Sequence, residues 1–271
     1  MPSVRPAAVA GTWYPGTRAG LERAVDAHLA LAAPVKERRP SALIAPHAGL
    51  MYSGPVAAYA YHLVRECVYE AVVLVGPSHF VGFDGVSIWP RGAWESPLGA
   101  VRVAEELAAA IAPVRGLVHE RPAAHGREHS LEMQLPFIAR LLPGVPIVPM
   151  VMGHQTRATS ERLGDALAEA LDGRRVLLVA SSDLSHYHDA RTAALLDAVV
   201  LRHVEALNPE ALMRAIEEDP RHACGGGPMV AVLRAARALG ATRARVLRYA
   251  DSGDISGDKE AVVGYMAAAI W

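Results

Sequence analysis

Three apolar runs in this chain each end on a turn that delivers a histidine, and this recurrence constrains the fold more than any other feature. Ala42-Leu43-Ile44-Ala45 runs into Pro46-His47-Ala48-Gly49. Ala71-Val72-Val73-Leu74-Val75 runs into Gly76-Pro77-Ser78-His79-Phe80, and Val176-Leu177-Leu178-Val179-Ala180 runs into Ser181-Ser182-Asp183-Leu184-Ser185-His186. Short continuous apolar runs bounded by Gly, Pro and Ser read as strands buried on both faces. Further strands are expected at 85–88, 146–152, 244–249 and 261–268. Composition and spacing place helices at 55–69, 102–111, 160–171, 191–206 and 229–239.

Strands alternating with helices imply a mainly parallel sheet covered on both faces. The expected fold class is therefore α/β, a three-layer αβα sandwich around a mainly parallel or mixed central sheet. In such sheets ligands bind outside the carboxyl ends of the strands. His47, His79 and the group from Asp183 to His186 should then share one edge.

With 271 residues and no stretch resembling a long linker, the chain is expected to form one domain over residues 1–271. A hydrophobic fraction of 52% supplies a large core, while a formal net charge of -1 gives no general attraction to nucleic acid or an anionic membrane. No apolar stretch reaches the roughly 18 residues that span a bilayer. The N-terminal Met1-Pro2-Ser3-Val4-Arg5-Pro6 lacks the apolar core of a signal peptide. A cytoplasmic protein is expected, without nucleic-acid or membrane partners. In that compartment the two cysteines, Cys67 and Cys224, read as separate thiols rather than a disulfide.

Imidazole is a good ligand for Fe(II), zinc and copper and the commonest general acid or base near neutral pH. A single loop histidine more often satisfies a nearby carbonyl, but three at equivalent sheet positions favour a metal site. Cys224 precedes Gly225-Gly226-Gly227-Pro228 and an expected helix. Glycines let the backbone approach a bound group, and a helix N-terminus or a metal favours the thiolate, so a ligand or redox role is preferred there. Cys67, in a helical-looking segment, reads as structural.

A competing motif, His125-Gly126-Arg127-Glu128-His129, matches the H-x-x-E-H pattern of inverted zinc peptidases. That chemistry needs both histidines on one helical face with the glutamate as base. Gly126 weakens the turn, the helical pattern starts only near Glu128 or His129, and third ligands such as Glu161 or Glu205 carry no mark. A zinc-dependent hydrolase thus stands as an alternative.

Several stretches belong together: Arg5-Pro6-Ala7-Ala8-Val9-Ala10-Gly11-Thr12-Trp13-Tyr14-Pro15-Gly16, Ala45-Pro46-His47-Ala48-Gly49-Leu50-Met51-Tyr52-Ser53-Gly54 and Gly76-Pro77-Ser78-His79. They continue with Glu128-His129-Ser130-Leu131-Glu132, Ser181-Ser182-Asp183-Leu184-Ser185-His186-Tyr187, Cys224-Gly225-Gly226 and Tyr249-Ala250-Asp251-Ser252-Gly253-Asp254. In this order they resemble the Memo family, the B component of the AmmeMemoRadiSam set. The resemblance implies a fold similar to class III extradiol dioxygenases, whose Fe(II) is held by two histidines and a carboxylate.

Carried over by motif, His47 and His79 would be the histidine ligands and His186 the acid/base acting on the substrate. Cys224 would stand in place of the carboxylate, and a thiolate moves the metal preference toward copper, zinc or a more covalent iron site. Asp183 would either orient a ligand histidine or cap a helical turn near Leu184. Glu128 and His129 would surround the ligands. Trp13 and Tyr52 would line a pocket for a small aromatic molecule or a peptide, although Trp13 could equally anchor the N-terminal segment by burying its ring. His188 reads as a solvated residue at a helix start, and 251–259 as a hairpin or a loop over the site.

Two functions follow as expectations. One is a mononuclear metalloprotein, with iron as the first choice, oxidising a small aromatic substrate. The other is a binding module that uses the same pocket for a peptide or a partner protein. The resemblance also implies a radical SAM partner.

Overall fold

The computed structural model describes residues 4–32, 39–112, 114 and 116–271. Residues 1–3, within the N-terminal stretch of the signal-peptide reading, lie outside the described residues. The strands are β1 (Val4–Arg5), β2 (Ala42–Ala45), β3 (Ala71–Pro77), β4 (Val86–Ile88), β5 (Ala93–Trp94), β6 (Val101–Arg102), β7 (Val118–His119), β8 (Ile147–Met152), β9 (Val176–Ser181), β10 (His186–His188), β11 (Ala244–Asp251) and β12 (Val262–Ile270). The helices are α1 (Arg18–Leu31), α2 (Leu50–Tyr61), α3 (Glu105–Ile111), α4 (Pro122–Gly126), α5 (Leu135–Leu141), α6 (Arg157–Leu171), α7 (Ala190–Glu205), α8 (Pro209–Glu218), α9 (Gly226–Ala238) and α10 (Gly253–Ser256).

The main sheet is mixed, with strand order β10-β12-β2-β9-β3-β8-β4-β7 and β11 added on β12. Its centre, β2-β9-β3-β8, is parallel. Helices α1, α2 and α5 pack on one face, and α6 and α9 on the other with α8 against α9 and α7 behind β11 and β12. The result is the α/β sandwich that the alternation of strands and helices predicts. Every residue of β2, β3 and β8 is buried. Each fully buried Val, Leu or Ile contributes about 1.5–3 kcal/mol of transfer free energy, so these three strands, with β9 buried in all but its first residue, form the core of the molecule.

Several element boundaries differ from the sequence reading. Helix α2 starts at Leu50, not at 55, and runs through Pro55. So close to the helix start, the proline removes only the bond to the Met51 carbonyl, and burial of Val56, Ala57, Ala60 and Tyr61 outweighs it. The chain then tightens into a 3-10 turn at His62–Val64, leaving Cys67 beyond the helix with its thiol 3.5 Å from the Leu63 carbonyl. Arg102 belongs to β6, and the third helix begins only at Glu105, where two acids suit the positive end of its dipole. Residues 252–261 connect β11 to β12 through α10, so the expected hairpin or loop at 251–259 is a hairpin connection that carries a helical turn.

The carboxyl ends of the parallel strands build the site. His47 follows β2, His79 follows β3, and Ser182–His186 follows β9. Antiparallel β12 pairs with β2 through Ala268–Ile270 and with β10 through Val262 and Val263, so β10 lies past the carboxyl end of β2. His186 is thereby brought to the same edge as His47 although no turn in its own strand puts it there.

Candidate metal centre

His47, His79 and Cys224 converge so that one donor atom from each lies within 4.8 Å of the others. Cys224 arrives from a distant part of the chain, and the glycines behind it show why. A Cβ at Gly225 would sit 2.6 Å from the Ser181 carbonyl oxygen, one at Gly226 would sit 2.8 Å from Ile216, and one at Gly227 would meet Met152 at 2.7 Å. The glycine run therefore serves to press the start of α9 against the ends of β8 and β9 and against α8. The sequence reading gave those glycines to a bound group. The groups they approach are protein.

The two imidazoles are held in defined tautomers. Ser181 Oγ has one proton and gives it to the Ser130 carbonyl at 2.6 Å. It must then accept from Gln134 Nε2 at 2.8 Å and from His47 Nδ1 at 2.9 Å. His47 thus carries its proton on Nδ1, and its Nε2 lone pair faces Cys224 Sγ at 3.2 Å. His79 Nδ1 donates to Glu128 Oε1 at 2.8 Å, so in the neutral ring the lone pair is on Nε2. Burial alone would push the Glu128 carboxyl up, but the hydrogen bonds from His79 and Ser130 prevail and hold it at about 2. An ionised Glu128 can only accept.

Asp183 supports His47 through the backbone: its Oδ1 accepts the His47 amide at 2.7 Å and the Ala48 amide at 3.3 Å. It caps no helix, because no helical turn follows it before β10, so its contact is with the His47–Ala48 backbone and not with a helix start. Burial of the His47 ring, with His79 close by, pushes its pKa well below the ordinary value. The Cys224 thiol is pushed far up by burial and then by Asp183. Without a cation the pair is neutral, and the start of α9 does not by itself produce a thiolate.

The donor set suits a transition metal. Bonds of about 2.0–2.1 Å to nitrogen and 2.3 Å to sulfur place tetrahedral ligand atoms about 3.5 Å apart, close to the His47–Cys224 spacing. Two unprotonated imidazole nitrogens and one thiol, each oriented by other buried groups, form the kind of preset face that such a metal needs. Glu128→Gln is expected to lower metal affinity by about 10–100-fold, since an amide can present its NH2 to His79 and overturn the tautomer. Titration with Zn(II) against a chelating indicator reads this directly, and unchanged affinity would remove Glu128 from the site.

Around the donors lies a set of rings. His129 stacks on His79 with centroids 4.4 Å apart, and Trp13 reaches His129 at 4.3 Å. Phe80, half-exposed and without a role in the sequence reading, meets the His129 ring edge-on at 5.9 Å. Burial and the neighbouring His47 and His79 hold His129 down at about 4, so it is neutral. Tyr52 lies on the first turn of α2 beside Gly49, and among the described residues it makes none of these ring contacts. His186 donates from Nδ1 to the Leu184 carbonyl at 2.9 Å, and among the described residues its Nε2 has no hydrogen-bond partner. His188 ends β10, with Asp189 after it capping α7.

The H-x-x-E-H reading does not survive as geometry. Helix α4 ends at Gly126, so His125 and His129 share no helical face. His125 instead turns inward, with Nε2 3.0 Å from Ser87 Oγ and its ring between Trp89 and Trp94. Burial and then Arg5 hold its pKa at about 3. Glu128 is already engaged with His79.

The residues that sequence reasoning assigned no role are the ones beneath. Arg5 is 1% exposed and paired to Glu132 at 2.6 Å, and it also donates to the carbonyls of His125 and Glu128. Glu132 in turn accepts the amides of Ala8 and Val9 and the Tyr14 hydroxyl. One ion pair thus ties the N-terminal segment that carries Trp13 to the segment that carries Glu128 and His129.

Fold and site together define an α/β protein with a three-donor candidate metal centre on the carboxyl edge of its sheet. A family model described as "Memo-like protein" matches residues 5–269, and the chain belongs to that family, Memo. A "MEMO1 family protein" of Ignicoccus hospitalis is 39% identical over 277 residues, spanning 97% of each chain. One from Methanothermobacter thermautotrophicus is 39% identical over 272 residues, spanning 97% of this chain and 98% of that one. The crystal structure of the uncharacterized protein JW3007 from Escherichia coli K12 aligns with a TM-score of 0.51 and 17% identity, covering 84% of this chain and 99% of that one. At that identity the likeness is one of fold. No helix among the described residues is long and apolar enough to cross a membrane.

Proposed function

We propose that this chain is a mononuclear metalloprotein that holds iron(II) at His47, His79 and Cys224 and oxidises a small aromatic substrate with dioxygen. The observation that carries the reading is the convergence of two imidazoles, each anchored through Nδ1 so that Nε2 is left as the donor, with one thiol. Bound there, iron(II) would supply the one-electron chemistry that dioxygen requires and open positions beside the three protein donors. The chain's own groups would do the rest. Trp13, Phe80 and His129 offer ring faces and edges against which an aromatic substrate stacks. His186 Nε2 is free to take a proton from, or return one to, a substrate hydroxyl. Copper or zinc would fit the same donors, and a radical SAM partner and a cytoplasmic location belong to the same proposal.

The test is anaerobic metal analysis, Fe(II) reconstitution and oxygen uptake with a catechol panel, beside Cys224→Ala. One iron per chain, lost in the variant, with substrate-dependent oxygen uptake is the expected result. The half-exposed rim of Trp13 and Phe80 favours a second reading, a binding module for a peptide or partner protein. Metal bound without oxygen consumption on any substrate would make that reading the better one.

A further inference from the structure

We infer that Asp197 is a positioning residue for His186, an inference that rests on the reading that His186 serves the metal centre. Asp197 stands on α7 and is completely buried. Its hydrogen-bond partners are the Ser185 amide, at 2.9 Å from Oδ1, and the Tyr249 hydroxyl, at 2.8 Å from Oδ2. Neither is a cation. A carboxylate buried without a cation is costly to hold, and the structure shows what this one does: it fixes the residue next to His186.

The surroundings are shaped to that contact. A Cβ at Gly264 would come within 1.9 Å of Asp197 Oδ2, so a side chain there would displace the carboxylate. Gly264 also takes the Leu184 amide on its carbonyl at 2.8 Å and donates to the Ser185 carbonyl at 2.9 Å. Leu184 and Ser185 are therefore clamped between β12 and α7. His186 closes the arrangement by donating from Nδ1 back to the Leu184 carbonyl.

The next residue shows that the turn does not hold itself. Tyr187 is 78% exposed yet has φ 62, in the left-handed region that a tyrosine avoids, and β10 bulges between His186 and His188. Strain of this kind persists only where the surrounding structure over-determines the backbone. An exposed tyrosine ring supplies no such restraint, so the buried clamp on its N-terminal side must. The three histidines of the edge then share one plan: Glu128 holds His79, Asp183 holds His47 through its amide, and Asp197 holds His186 through Ser185.

The test uses the full chain labelled with nitrogen-15 histidine, where two-bond proton–nitrogen spectra report each ring's tautomer. In the parent, His186 should show the single Nδ1–H form. Asp197→Ala is expected to lose it, giving a mixed or exchange-broadened ring signal, while His47, His79 and the Zn(II) stoichiometry stay as in the parent. Asp197→Asn should keep the parent signal, because its Oδ1 still accepts the Ser185 amide. Tyr249→Phe, which removes one of the two restraints on the carboxylate, should move the signal toward that of Asp197→Ala.

An unchanged His186 in Asp197→Ala overturns the inference. If that variant does not fold, an unchanged His186 in Tyr249→Phe overturns it equally. A displaced His186 in a protein that consumes no oxygen would leave the positioning role standing and remove the oxygenase reading, so the two failures are separable.

Discussion

Replacing Glu132 by alanine is expected to lower the free energy of unfolding by about 3–5 kcal/mol, the range for removing one partner of a buried ion pair. The magnitude follows from what is left behind. Arg5 would remain 1% exposed with a full charge and no counter-ion, its guanidinium still 4.1 Å over the Trp94 ring. The amides of Ala8 and Val9 and the Tyr14 hydroxyl would lose their acceptor at the same time. For a domain whose whole stability is about 5–15 kcal/mol, such a loss is severe. Chemical denaturation of parent and variant gives the number. Arg5→Met combined with Glu132→Gln should be less damaging than Glu132→Ala, because the amide oxygen can still accept and no bare charge remains. A loss below about 1 kcal/mol in Glu132→Ala would place this pair with ordinary surface ion pairs and would mean that the N-terminal segment is held by something else.

How much of this was legible in the sequence varies with the physics of each part. The parallel strands were plain because both their faces are buried, which writes an unbroken apolar run, and the Pro and Gly turns after them marked where the histidines would sit. The two-residue strands β1, β5, β6 and β7 were not, since a period cannot be read from two residues. Helices α1 and α8 are not among the expected elements, although Thr17 and Asn208 cap them and Pro209 opens the second. Their signals were present and local. The layer that sets the tautomers was illegible for a different reason: Ser181, Ser130 and Gln134 are ordinary polar residues whose role exists only once β9, the turn after α4 and the 3-10 turn at Glu132–Gln134 meet. The weakness of the H-x-x-E-H spacing was legible, because Gly126 interrupts the helix it needs and α4 does end there. Asp197 lies 11 residues beyond His186 in sequence and carries no motif, so only the tertiary clamp reveals it.

The second large effect concerns the proton that a metal must displace. Burial and Asp183 keep the Cys224 sulfur protonated far above its ordinary range, and the S–H donates to His47 Nε2 across 3.2 Å. His47 is pushed well below its ordinary value, so it is already neutral and gives up nothing at neutral pH. A metal that binds both atoms therefore takes the place of the thiol proton. The sign follows: raising the pH removes the competitor, and between pH 7 and 9 the apparent affinity should rise about tenfold per unit, with about one proton released per metal. Calorimetry in two buffers of different ionisation heat measures the proton, and indicator titrations measure the slope. In Cys224→Ala the slope should vanish and the affinity should fall on the order of 100-fold or more, as expected for loss of a ligand when loss of a supporting partner alone costs 10–100-fold. A parent protein with no slope and no released proton would mean that the thiol is not a ligand. The candidate centre would then shrink to two imidazoles, and a metal bound there would need a donor from outside the chain.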